Sequence, residues 1–131
     1  ASQSLPDLLL DGAHNTHALA ALRETLPTLG ITPRAIIFSC LADKDLEGMT
    51  PLVLDLAMGA PLLIPPIAAN ERAAPPMRLA STFGPTASAM SSLRSALETA
   101  KQWDSSPQSP VLVCGSLYLL AEFFTLYPEY M

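Results

Sequence analysis

Three short polar stretches hold most of the side chains in this sequence that could do chemistry: residues 11–16 (DGAHNT), 41–45 (LADKD) and 115–118 (GSLY). In the first, Asp11 can accept the hydroxyls of a ribose and His14 can bond a phosphate or a carboxylate. Gly12 permits a sharp turn there, and Asn15 or Thr16 can cap a following helix. A strand-to-helix turn accounts for the glycine and for one cap, but it gives no reason for a carboxylate and an imidazole so close together. In the second stretch, Asp45 can cap a helix and Lys44 offers a flexible ammonium suited to a small carboxylate. A lysine flanked by two aspartates also serves as an ordinary solvated charge. In the third, Gly115 lets backbone approach closely. The Ser116 hydroxyl and the free amides of a first helical turn make either a simple N-cap or a carboxylate-binding site.

Other chemistries fit less well. Asp11, His14 and His17 fall three apart, which invites a metal, but Asp11 precedes the helix and does not share a face with the two histidines. No fourth ligand is evident, so no metal site is assigned. A nucleophilic Ser116 would need a glycine two residues on, and that position is Tyr118. No Gly-x-x-x-x-Gly-Lys-Ser/Thr or Gly-x-Gly-x-x-Gly pattern occurs, so the chain lacks a phosphate cradle of either kind. No catalytic residue is assigned within it.

The elements that must position these stretches read as an alternation. Residues 7–11, 35–40, 61–64 and 111–114 are aliphatic runs apolar on both faces, as strands of a covered parallel sheet are. Between and after them, residues 16–29, 46–58, 86–103 and 117–126 space their apolar side chains by three and four, and Gly30 and Gly59 follow the first two as stops. Residues 65–85 hold five of the thirteen prolines and no clean period, which predicts an irregular connection with one short helix over 77–83. Residues 104–110, with three serines and two prolines, read as a solvated loop. The order predicts a single α/β domain with an open, mostly parallel sheet, helices on both faces and right-handed crossovers, Rossmann-like in class. In such a sheet ligands bind outside the carboxyl ends of the strands, where all three polar stretches fall.

Composition narrows the partners. Seven basic residues, scattered, stand against twelve acidic ones for a net charge of −5, which argues against a nucleic-acid or anionic-membrane surface. No apolar run reaches the roughly 18 to 20 residues of a membrane span, and the start lacks the pattern of a signal peptide. The expectation is a cytoplasmic protein, with Cys40 and Cys114 packed as reduced thiols at the ends of apolar runs. A chain that passes from ASQS almost directly into a strand reads as a domain trimmed from a longer protein.

Taken together, and in this order, DGAHN, LADKD and GSLY resemble the signatures of the carboxy-terminal domain of folylpolyglutamate synthases and dihydrofolate synthases, members of the Mur ligase superfamily. The resemblance covers nearly the whole chain. It implies a reaction in which ATP phosphorylates a pterin-linked carboxylate and the amine of L-glutamate attacks the acyl phosphate. It also implies an amino-terminal ATPase domain in cis, carrying the P-loop, the Mg2+ ligands and much of the folate site. This chain would then be inactive alone and act as part of a monomer. By position, Asp11 resembles the aspartate that contacts the nucleotide, and His14 the histidine beside it that helps organise ATP or glutamate. Ser116 is similar to a serine implicated in glutamate binding, and Lys44 to a lysine that binds the incoming amino acid in Mur ligases. On this reading none of the four needs to be a proton-transfer catalyst.

Two features depart from the pattern. The family's nucleotide-contacting arginine would lie upstream of Ala1, and Arg72, in residues 70–73 (NERA), resembles a family Arg-Ala pair, in Pro-rich surroundings that blur the match, and is assigned no role. The other functions in view are a Mur-type ligase for a different amino acid and a free-standing α/β module that binds a small anion or nucleotide.

Overall fold

Five short strands form one sheet in the order β1-β5-β2-β3-β4, with every pairing parallel. In chain order the elements are β1 (Leu8–Leu10), α1 (Thr16–Thr28), β2 (Ala35–Phe38), α2 (Leu46–Ala57), β3 (Leu62–Ile64), α3 (Pro76–Phe83), β4 (Ala87–Ala89), α4 (Leu93–Ala100), β5 (Val111–Cys114) and α5 (Leu117–Leu126). A 3-10 turn over Pro128–Tyr130 ends the chain. The computed structural model describes residues 5–68 and 70–131; Ala69 and the opening ASQS, read above as the start of a trimmed domain, lie outside them.

The strands are apolar on both faces because both faces are covered. Ile36, Phe38, Leu62, Ile64, Leu112 and Cys114 point to a layer built by α1, α2 and α3. Their sequence neighbours Ala35, Ile37, Leu63, Val111 and Val113 point to a second layer built by α4 and α5. The period of two along a strand thus sorts one continuous aliphatic run into two cores. Each fully buried leucine or isoleucine contributes roughly 1.5–3 kcal/mol, and the edge-to-face contact of Phe38 with Phe83, at 5.3 Å between ring centroids, adds about 1 kcal/mol. Connections that step one way across the sheet put their helices on one face. The step back from β4 to β5 puts α4 on the other, as a constant crossover hand requires.

The helix expected over residues 86–103 is two elements. Ala87–Ala89 forms the edge strand β4, held to β3 in the register Leu62↔Ala87 to Ile64↔Ala89, and α4 begins only at Leu93. Ser92 sets that boundary: its backbone is extended and its side chain accepts the Ser95 N–H at 3.0 Å, an N-cap that the local sequence SSLRS encodes. Alanine favours helix intrinsically, so ASA looked like an early helical turn, and only pairing with β3 makes it a strand. The short helix expected over 77–83 is present as α3, with Pro76 in its first turn, where a missing N–H costs nothing.

Candidate functional site

The chain leaves β1 and β2 for helices on one face of the sheet and leaves β5, which lies between them, for α5 on the opposite face. Loops diverging to opposite faces open a crevice at the carboxyl end of β5, the usual ligand position in an open α/β sheet. A cleft of about 210 Å³ lies there, lined by His14, Leu41, Lys44, Arg72, Ser116 and Tyr118 together with Gly115 and Leu117.

Backbone contacts hold the three loops together. The Gly115 N–H donates to the Ala13 carbonyl at 2.8 Å, tying the third polar stretch to the first. Gly12 packs against Leu117, whose side chain would lie 2.6 Å from any Cβ placed there. Within the first loop, Asp11 Oδ1 accepts the Ala13 N–H at 2.8 Å and His14 Nδ1 lies 2.8 Å from the Gly12 carbonyl oxygen. Asn15 caps α1 by accepting the Ala18 N–H at 2.8 Å. In the second loop, Asp45 caps α2 through the Gly48 N–H, while Lys44 faces the cleft. In the third, Ser116 is buried, and its Oγ accepts the Tyr118 N–H at 3.0 Å. As the acceptor of an N–H, the hydroxyl keeps its own proton to donate. The remaining first-turn amides of α5 lack intrahelical partners and carry the positive end of the helix dipole.

His14, Lys44 and Ser116 are therefore brought together, and Asp11 is not: it does not line the cleft, and one of its carboxylate oxygens is engaged by the Ala13 N–H. Arg72, to which sequence reasoning gave no role, lines the cleft. An antiparallel bridge between Leu41 and Ala73, with the Ala42 N–H donating to the Arg72 carbonyl and the Ala74 N–H to that of Cys40, splices this segment onto the second loop. The Arg72 guanidinium meets Asp43 at 3.3 Å in an exposed pair, worth little by itself. Nothing local in NERA signals this placement, because the bridge joins residues about thirty positions apart in the chain. Tyr118 and Leu117, both more than half exposed, form an apolar lip at the mouth.

The cleft thus offers donors and positive charge: one ammonium, one guanidinium and a capped helix amino terminus, arranged to receive carboxylates or other oxyanions. Cys40, two residues past β2, and Cys114, at the end of β5, are free and buried and take no part in this. Burial pushes the Cys40 thiol up to about 11, with Arg78 and Lys44 pulling the other way, and pushes Cys114 further up with help from the Asp11 charge. Among the described residues, no three His, Cys, Asp or Glu side chains gather to hold a metal. No helix there is long and apolar enough to cross a membrane.

Residues 2–117 match the family model described as Mur ligase, glutamate ligase domain. In fold, the chain is similar to E. coli FolC in complex with ADP, at 24% identity and a TM-score of 0.80, over 98% of this chain and 30% of that one. It is also similar to the bifunctional folylpolyglutamate synthase/dihydrofolate synthase of Yersinia pestis complexed with AMPPNP and Mn ion, at 28% identity and a TM-score of 0.74, over 92% of this chain and 28% of that one. A bifunctional folylpolyglutamate synthase/dihydrofolate synthase with Mn, AMPPNP and L-glutamate bound matches at 27% identity and a TM-score of 0.73, over 97% of this chain and 30% of that one. The chain thus spans under a third of each of these solved chains. No curated protein matches the sequence.

Proposed function

The chain belongs to the Mur ligase glutamate ligase domain family, and from that premise we propose that it is the carboxy-terminal part of an ATP-dependent amide ligase that adds L-glutamate to a dihydropteroate or tetrahydrofolate acceptor. The observation that carries this reading is the convergence of Lys44, Arg72 and the Ser116-capped start of α5 on one cleft. Glutamate brings two carboxylates, and two cationic side chains plus a helix amino terminus complement them in number and sign.

In this reading the domain supplies orientation. Lys44, Arg72 and Ser116 fix the amino acid so that its nitrogen faces the acyl phosphate, and the apolar lip of Leu117 and Tyr118 helps keep out the water that would hydrolyse it. Asp11, with one oxygen held by Ala13, has a second oxygen left to accept a nucleotide hydroxyl, and His14, three residues on, lines the amino-acid cleft. The described residues gather no ligand set for Mg2+. We assign the metal ligands, the P-loop and most of the pterin contacts to an amino-terminal ATPase domain of the same protein. The charge of −5 fits a cytoplasmic enzyme without a nucleic-acid or membrane partner, and a monomer completes the proposal.

The test is ADP release by the complete protein, assayed with dihydropteroate and with tetrahydrofolate as separate acceptors. Turnover that requires both L-glutamate and one of these acceptors is expected. Turnover that depends on a different amino acid would move the assignment to another Mur-type ligase, and no acceptor-dependent ADP release at all would overturn the ligase reading.

A further inference from the structure

His14 carries a constraint that the roles above do not use. Its Nδ1 lies 2.8 Å from the Gly12 carbonyl oxygen. A carbonyl oxygen can only accept, so Nδ1 holds the proton and donates it. In the neutral ring Nε2 is then the nitrogen with the lone pair. His14 lines the cleft, and a lone pair presented there repels phosphate and carboxylate oxygens and attracts an N–H.

The other polar side chains that line the cleft, Lys44, Arg72, Ser116 and Tyr118, offer no comparably basic acceptor. Lys44 and Arg72 only donate, and Ser116 Oγ already accepts the Tyr118 N–H. Asp11, Asp43 and Asp45 do not line the cleft, and each holds a bond elsewhere, to the Ala13 N–H, to Arg72 and to the Gly48 N–H. An amino acid whose carboxylates lie on Lys44 and Arg72 also brings an ammonium, which cannot attack an acyl phosphate until it loses a proton. Two flanking cations favour that loss, because like charge disfavours the protonated amine.

We propose, resting on the ligase reading, that His14 is the base that takes a proton from the incoming amino group. One N–H bond of the ammonium breaks, its electron pair stays on nitrogen, and the proton passes to Nε2. The resulting imidazolium still donates through Nδ1 to Gly12. The nitrogen lone pair then forms the C–N bond, the C–O bond to phosphate breaks with its electrons leaving on phosphate, and the second amine proton is lost to the departing phosphate or to water. This gives His14 a task that the sequence did not require of any residue here.

The experiment compares two nucleophiles in the complete ligase. Hydroxylamine is largely unprotonated at neutral pH and traps an acyl phosphate as a hydroxamate without needing a base. In His14→Gln and His14→Asn, glutamate addition is expected to fall about 10²- to 10⁴-fold, while ATP-dependent hydroxamate formation stays within a few-fold of wild type. Retained hydroxamate formation also shows that the variant is folded and makes the acyl phosphate. Equal loss of both products would place His14 in an earlier step, and retention of both would leave it no role; either result overturns the proposal. A wild-type enzyme that forms neither product fails the ligase reading itself, which separates the two failures.

Discussion

Gly115→Ala is expected to destabilise the domain by about 3 kcal/mol or more, the largest effect of any single conservative change at this cleft. Gly115 has φ +109°, and a Cβ there would run into the Ser39 carbonyl oxygen and stand 2.8 Å and 2.9 Å from two carbons of the Phe38 ring. The backbone strain costs roughly 1–3 kcal/mol, and forcing atoms into a filled core costs about 1–3 kcal/mol more. Phe38 cannot retreat, because it is fully buried and stacked edge-on against Phe83. Gly30→Ala supplies the comparison: φ is +70° there too, but nothing lies within 4 Å of the added methyl, so only the backbone cost of about 1 kcal/mol applies. Urea unfolding followed by circular dichroism measures both. Equal midpoints for the two variants would mean that the approach of β5 to β2 at Ser39 is looser than described. Because that approach brings the loops after β1, β2 and β5 together, Gly115→Ala should also weaken ligand binding in whatever fraction stays folded.

Lys44→Ala and Arg72→Ala are each expected to raise the glutamate KM about ten- to a hundredfold in the complete enzyme. A charge-assisted hydrogen bond that a bound substrate shields from water contributes about 1.5–3 kcal/mol, which corresponds to that range. The Arg72–Asp43 pair is exposed before ligand arrives, so breaking it contributes little to the change. If the two cations hold different carboxylates, the double variant should show the sum of the two free-energy effects; if they share one, it should show less than the sum. Steady-state kinetics with glutamate varied at saturating ATP and acceptor decides this. Lys101, whose partner is Glu98 on α4, provides a charge-removal control away from the cleft, and Lys101→Ala should leave KM unchanged. An unchanged KM in both cleft variants would remove the amino acid from this site.

Much of this was legible in the chain because both faces of the inner strands are buried. AIIF, LLI and VLVC have no polar side to confuse their period, and each is followed by its helix at the expected place. The polar stretches stood out for the same reason, as charged and hydroxyl groups abutting runs otherwise wholly apolar. Two things were hidden, and both depend on contacts between distant residues. The ASA segment becomes β4 only because β3 offers it an edge, against the local preference of alanine. Arg72 reaches the cleft only because Ala73 pairs with Leu41. The tautomer of His14 belongs with them: the residue was visible, but the nitrogen left free for a ligand is set by the Gly12 carbonyl, which only the folded turn brings into range.

The central claim is that the crevice at the end of β5 is where the incoming amino acid sits. The most direct measurement is a crystal structure of the complete protein with a non-hydrolysable ATP analogue and L-glutamate. Glutamate density is predicted with its carboxylates on Lys44, Arg72 and the first turn of α5, and its nitrogen toward His14 Nε2. Glutamate bound elsewhere, or a phosphate oxygen of the nucleotide occupying the space between Lys44 and Ser116, would contradict it.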